Sequence, residues 1–314
     1  MGAGPQARRG PITYPDGAVY DGQFKDDLPH GIGSLTRTDG AQYQGDWRAG
    51  KINGQGTLRD ATGDVYEGDF VDGIRQGRGR LTYANGDTYQ GGFAGDLRHG
   101  MGTFTGSDGR VMTGTWVAGV LQGEGQLRFA DGSAYAGGLL NGVPHGRGAI
   151  TYVDGSSYSG DWQHGAQVGQ GQATYPDGSA FTGTFVAGQP DGIGIMRYAN
   201  GAQYIGLWAA GLRTAQGTVS GGADGLFYKG GFRAGLYHGQ GQLTLTDGFN
   251  YQGGWADGLM QGRGVVRYAN GDAYEGGFKA GLRDGRGVLT RADGTVASGI
   301  WRADQLKAPD QVLP

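Results

Sequence analysis

GRGRLTYANGDTYQGGF, Gly77 to Phe93, repeats the spacing of GQGTLRDATGDVYEGDF, Gly54 to Phe70, 23 residues earlier. Glycines, turn and aromatics coincide while most other positions drift. Gly77, Gly79, Leu81 and Tyr83 alternate with Arg78, Arg80 and Thr82, and Tyr89, Gly91 and Phe93 alternate with Gln90 and Gly92. A period of two is that of a strand. For Tyr83 and Tyr89 to share a face, the intervening Ala-Asn-Gly must be a three-residue hairpin loop with Gly86 left-handed. That register sets Leu81 opposite Tyr89, Gly79 opposite Gly91 and Gly77 opposite Phe93, so each ring is expected to lie on bare backbone. A strand glycine costs roughly 0.5–1 kcal/mol, less than the roughly 1.5–3 kcal/mol gained by burying a large apolar side chain.

The same pattern runs along the chain. Tyr20, Tyr43, Tyr66, Tyr89, Met112, Tyr135, Tyr158, Phe181 and Tyr204 are spaced by 23 residues, and after one inserted residue the column resumes at Tyr228, Tyr251, Tyr274 and Ala297. A second aromatic follows four positions later in every repeat but one, where Leu139 stands instead. Asp-Gly or Asn-Gly marks the turn in 12 of 13 repeats, Thr62-Gly63 being the exception. A period this regular means one architecture stabilised by neighbouring repeats. It accounts for 71 glycines, which with 17 tyrosines are neither a flexible linker nor, lacking a three-residue period, collagen.

Net charge is −3, with 26 basic and 29 acidic residues interspersed, which argues against nucleic-acid binding. The absence of cysteine excludes disulfides, thiolate metal sites and thiol nucleophiles. The N-terminal sequence lacks a signal-peptide core, and no apolar run approaches the roughly 18 residues of a membrane span. The expectation is a soluble chain, cytoplasmic or membrane-peripheral.

Repeats reading Y-x-G-x-W/F … G-x-G-x-L/M-x-Y-x-D/N-G resemble MORN (membrane occupation and recognition nexus) repeats. The resemblance covers about residues 9–303. It implies an all-β fold, an elongated, twisted, single-layer antiparallel sheet of about 13 repeated β-hairpins with an aromatic groove. It also implies a scaffold that oligomerises or binds a partner's peptide or helix. Residues 1–8 and 304–314 are read as tails. The stretch 212–225, with Ala215 in a glycine column and the extra residue, is read as an irregular connection carrying a bulge or kink.

Candidate chemistry is sparse. Gly45–Ile52 has the lysine of a phosphate-binding loop but Ile52 where a hydroxyl is needed, in a hairpin rather than a strand–helix turn. His30, His99, His145 and His238 share a column, yet adjacent repeats stand roughly 10 Å apart, too far for one metal; His164 lies in a different loop. Asp131, Asp154 and Asp177 belong to turns and are spaced too widely for a calcium site. No catalytic residue, metal or cofactor is assigned.

Three surfaces remain. The rings of Tyr43, Trp47, Tyr66, Phe70, Tyr89 and Phe93 are expected to line a partly open groove for a partner helix or peptide. Ile193, Ile195, Ile205 and Leu207 are paired outward positions that usually hold polar residues or glycine, and form a candidate protein-contact patch, with self-association its simplest version. Arg78, Arg80, Arg147, Arg263 and Arg286 are outward basic residues available to anionic lipid, diluted by Asp69, Glu124 and Glu275. The leading reading is a non-enzymatic scaffold binding protein partners or itself. The alternatives are a peripheral protein reading anionic phospholipid and a targeting segment of a longer enzyme.

Overall fold

The computed structural model describes residues 9–310; the expected tail at 1–8 lies outside the described residues. The chain divides into two compact units, Met1–Val153 with Gln163–Gly165, and Asp154–Trp162 with Ala166–Pro314. Every regular element among the described residues is a β-strand. In the first unit each strand from Arg9–Thr13 to Val143–Thr151 pairs antiparallel with the next. In the second unit the same holds from Ala166–Thr174 to Gln305–Pro309.

Two hairpins alternate. The first joins Ile74–Thr82 to Thr88–Ala94 and pairs Leu81 with Tyr89, Gly79 with Gly91 and Gly77 with Phe93, as the repeat pattern requires. Its loop closes with Tyr83 N donating to Asp87 O at 2.9 Å and with Gly86 at φ +89°. The second joins Val65–Val71 to Ile74–Thr82 through Asp72 and Gly73, at φ +52° and +88°. Two successive positive φ values make a type I′ turn, whose twist matches that of the strands. The strand alternation alone does not locate this turn.

The two glycines of G-x-G do different work. Gly68 pairs with Gly79 but Phe70 with Arg75, so Gln76, Gly77 and Arg78 face Asp69 alone in a bulge. Gly77 sits there at φ +74°, and a Cβ would stand 2.5 Å from the Asp69 carboxylate. The expectation that Gly77 floors a ring is therefore corrected: the bulge needs it. Gly79 does floor a ring, that of Tyr66, whose Cε2 would lie 2.4 Å from a Cβ.

The extra residue near 212–225 makes no bulge of its own. It lengthens the strand Leu212–Gly221 and carries an unshifted ladder out to the pair Gly221–Leu226. The irregularity at Gly206/Leu207 corresponds to the bulge at Gly68/Phe70 and is not peculiar to this stretch. Residues 304–310 do not form a tail. Gln305–Pro309 pairs with Val296–Arg302 and places Leu306 opposite Trp301, as Ile52 stands opposite Trp47.

The core is a zipper of rings. In the first unit successive edge-to-face contacts run from Tyr20–Phe24 to Tyr89–Trp116 with centroids 4.9–5.5 Å apart. In the second they run from Tyr158–Trp162 to Tyr274–Trp301 at 4.9–5.6 Å. Those distances are ordinary for edge-to-face packing, and each ring meets one on its own strand and one two strands away, in a neighbouring repeat. The bulge leaves Asp69 out of the ladder on one side, and the Tyr66 hydroxyl donates to its carbonyl at 3.0 Å. Tyr20, Tyr43, Tyr89, Tyr204 and Tyr274 repeat the contact. Tyrosine, rather than phenylalanine, thereby satisfies a carbonyl that the bulge exposes.

Candidate functional site

The aromatic face is closed where a groove is expected. Tyr43, Trp47, Tyr66, Phe70, Tyr89 and Phe93 are all buried, the most accessible being Trp47 at 7%. Glycine floors let the rings sink and edge-to-face packing covers their flanks. Burial pushes the phenols of Tyr43, Tyr66, Tyr89, Tyr204 and Tyr251 up to about 12.

Four arginines complete this face, and the sequence reading misses them. Arg75, Arg98, Arg213 and Arg283 lie over the rings, Arg98 at 4.1 Å from the Trp116 centroid and Arg283 at 4.5 Å from that of Trp301. Each also reaches the next type I′ turn. Arg75 and Arg283 donate Nε–H to the carboxylates of Asp96 and Asp304, while Arg98 and Arg213 donate to the carbonyls of Gly119 and Gly235. The signal was present as an aliphatic residue followed by arginine just after the turn, in Ile74-Arg75, Leu97-Arg98, Leu212-Arg213 and Leu282-Arg283.

The opposite face of the sheet carries the accessible groups. In the second unit Ile193 pairs with Leu207 and Ile195 with Ile205, as the register implies. Ile193 is 71% exposed, Ile205 42% and Leu207 38%, with Ile195 half-buried. Across the strands their neighbours are uncharged: Thr182 stands opposite Ile195, Gln172 opposite Thr182, and Thr218 opposite Ile205. Charge borders the patch at Arg197, which follows Ile195 on the same face opposite Gln203, and at Lys229, opposite Thr218.

In the first unit this face is mostly polar and charged. A trough of about 1060 Å³ is floored by Gly56, Gly68, Gly79 and Gly91 and walled by charged and neutral polar side chains, with exposed Ile32 and Met101 also in its lining. Arg78 and Arg80 stand there beside Asp46, Glu67 and Asp69, with Arg80 paired to Glu67 across the strands. Asp69 also accepts the backbone N–H of Arg78 at 2.8 Å. Arg263 and Arg286 line a smaller hollow with Glu275 in the second unit, and Arg286 is ion-paired to Asp310 at 3.3 Å. Arg147 follows His145 and Gly146 on the strand Val143–Thr151.

Other candidates resolve into local structure. Gly45–Ile52 spans a bulge and a type I′ turn, and Lys51 pairs with Asp72 at 3.5 Å. Asp131, Asp154 and Asp177 each accept the backbone N–H two residues on, at 2.8–2.9 Å. His164 is not isolated: its ring lies 5.3 Å from that of His145, because the strand pairing brings this column against the next turn, as it brings Gln76 to Gly95 N. Among the described residues no group of three metal-ligating side chains converges, and no helix is long and apolar enough to cross a membrane.

A family model described as MORN repeat matches eleven segments, running through residues 20–42, 43–65, 66–88, 89–109, 113–134, 135–157, 158–180, 181–203, 228–249, 251–273 and 274–296. The chain belongs to the MORN-repeat family. The unmatched stretch between residues 203 and 228 holds the lengthened strand Leu212–Gly221. No curated protein matches this MORN-repeat chain.

Solved structures share low similarity. The SAS-4 (dCPAP) TCP domain of Drosophila melanogaster, in complex with a proline-rich motif of Ana2 (dSTIL), is 14% identical over 59% of this chain and 96% of its own, with a TM-score of 0.32. The TCP10 domain of Danio rerio CPAP in complex with a STIL peptide is 13% identical over 92% of this chain and 97% of its own, with a TM-score of 0.20. A virginiamycin B lyase from Staphylococcus aureus is 12% identical over 93% and 83%, with a TM-score of 0.14. These likenesses carry no functional argument.

Proposed function

We propose that this MORN-repeat chain is a non-enzymatic scaffold that binds protein, either a partner's segment or a second copy of itself. Ile193, Ile195, Ile205 and Leu207 lie at the centre of the contact. The observation that carries this reading is the contrast between faces: the rings of the zipper are buried, while Ile193, Ile205 and Leu207 stand exposed and Ile195 half-buried, with uncharged threonine and glutamine across the strands and charge only at the border. Interface centres are depleted of charge and rimmed by polar groups. Anionic-lipid binding needs a cluster of one sign, whereas Arg78 and Arg80 share their trough with three carboxylates.

The test replaces Ile195 and Ile205 together with threonine, which keeps β-branching and removes apolar surface. Sedimentation velocity and retention of binding proteins, compared between parent and double variant, should show loss of association. Unchanged mass together with unchanged binding overturns the reading. Sedimentation with vesicles containing anionic lipid, sensitive to salt and to Arg78→Gln/Arg80→Gln, would put the lipid reading in its place.

A further inference from the structure

The ring zipper of the first unit stops at one place. Met112 replaces the column tyrosine and Leu139 replaces the second aromatic of the following repeat. Every tyrosine of the column is buried, but Met112 is only half-buried. A cavity of about 480 Å³ opens there on the ring face, with Tyr83, Phe104, Met112, Trp116 and Leu121 as apolar walls and Arg98 at its side.

Two further departures fall at the same spot. The loop position that holds Asp64 and Asp87 in the preceding repeats holds Arg110, whose guanidinium lies 5.3 Å from the Phe104 centroid. Arg110 is only loosely paired with Asp108, at 3.8 Å. The acid on the rim, Asp87, is already engaged by Ser107 N and the Asn85 amide. The second departure concerns Arg98. Its counterparts Arg75 and Arg283 each give Nε–H to an aspartate of the next turn, but the residue facing Arg98 is Gly119. Among the described residues no carboxylate reaches Arg98, and a Cβ on Gly119 would meet nothing within 4 Å. Space is open where the missing carboxylate would stand. Arg213 lacks a carboxylate too, but Trp208, Tyr204 and Phe232 beside it keep the zipper intact.

We propose that the gap between Arg98 and Met112 is a binding pocket for a peptide segment of a protein partner that presents a carboxylate beside a bulky apolar side chain. The carboxylate takes the Nε–H of Arg98, as Asp96 does for Arg75, and the apolar group fills the space of the absent ring. The chain's own repeats supply the template for both contacts. This site is independent of the patch at Ile193–Leu207, lying in the other unit and on the other face, so either stands or falls without the other.

The probes are two capped tetrapeptides, acetyl-Gly-Leu-Asp-Gly-amide and its Asn counterpart, titrated into the full chain while the backbone amide of Gly119 and the indole of Trp116 are followed by NMR. The aspartyl peptide should shift both signals and saturate at roughly millimolar affinity, as suits so few buried atoms. The asparaginyl peptide should bind at least about tenfold more weakly. Gly119→Asp supplies the carboxylate from within the chain and should abolish binding, and Met112→Tyr should do the same by filling the gap. Equal binding of the two peptides, no shift with either, or binding indifferent to both variants overturns the proposal. The same shifts from sodium acetate alone also overturn it, leaving an anion site without peptide recognition.

Discussion

Gly79→Ala tests whether glycine is held in the G-x-G column by the ring above it. A Cβ at Gly79 would lie 2.4 Å from Tyr66 Cε2 and 2.5 Å from its hydroxyl, well inside contact distance. The ring cannot sink away, because Gly68 and the paired backbone lie beneath it as well. It must rise, which costs roughly 1–3 kcal/mol as overpacking. Rising also stretches the 3.0 Å hydrogen bond from the hydroxyl to Asp69 O, worth about 1 kcal/mol. Against this stands roughly 0.5–1 kcal/mol gained by removing glycine from a strand. The expected net is a destabilisation of roughly 1–3 kcal/mol, felt in the hairpin Val65–Thr82. Because repeat arrays unfold in parts, the assay is amide exchange across that hairpin in a double-mutant cycle with Tyr66→Ala. With the ring gone, Gly79→Ala should become neutral or mildly stabilising, a coupling of about 2 kcal/mol. Additive effects in the cycle would refute the packing argument.

Alkaline pH should destabilise the fold. The buried phenols are raised to about 12 from an unfolded value of 10, so their contribution is complete below pH 10 and is lost as pH rises through 12; thermal melts in steps across that window measure it. Arg283→Met should cost about 1–2 kcal/mol by removing the bonds to Asp304 and the contact with Trp301, and should speed amide exchange in Gln305–Pro309. Ala49 holds a type I′ turn at φ +47°, where an alanine is strained, so Ala49→Asn should stabilise by roughly 0.5–1 kcal/mol in thermal denaturation. Met112→Tyr with Leu139→Phe should close the break in the zipper and raise the melting temperature, each restored ring pair contributing roughly 0.5–1.5 kcal/mol.

Strand, loop and register were legible because period-two alternation and the Asn-Gly turn leave a single parity: Gly79 against Gly91 follows from Gly86 alone. The type I′ turns carried a signal that the alternation overshadowed, since Asp72-Gly73, Asn141-Gly142 and Asp257-Gly258 are the pairs such turns favour, while Ala49, Ala187 and Ala280 take left-handed φ marked only by the glycine that follows. The bulge was hidden for a related reason. Gly77 and Gly79 look alike in the sequence, and only the skipped pairing at Asp69 separates a backbone role from a packing role. Closure of the aromatic face depends on each ring leaning over its glycine floor to meet the ring two strands away, which a list of positions does not contain. The pairing of Ile193 with Leu207 and of Ile195 with Ile205 was readable, because outward positions obey the same register.

The central claim, that contact is made by the outward aliphatics rather than by the rings, is tested most directly by hydroxyl-radical footprinting of the chain free and associated. Ile193, Ile205 and Leu207 should be labelled in the free chain and protected on association, while Tyr43, Trp47, Tyr66 and Phe70 stay unlabelled in both states. Labelling of those rings in the free chain and their protection on association, with Ile193 unchanged, would contradict the account.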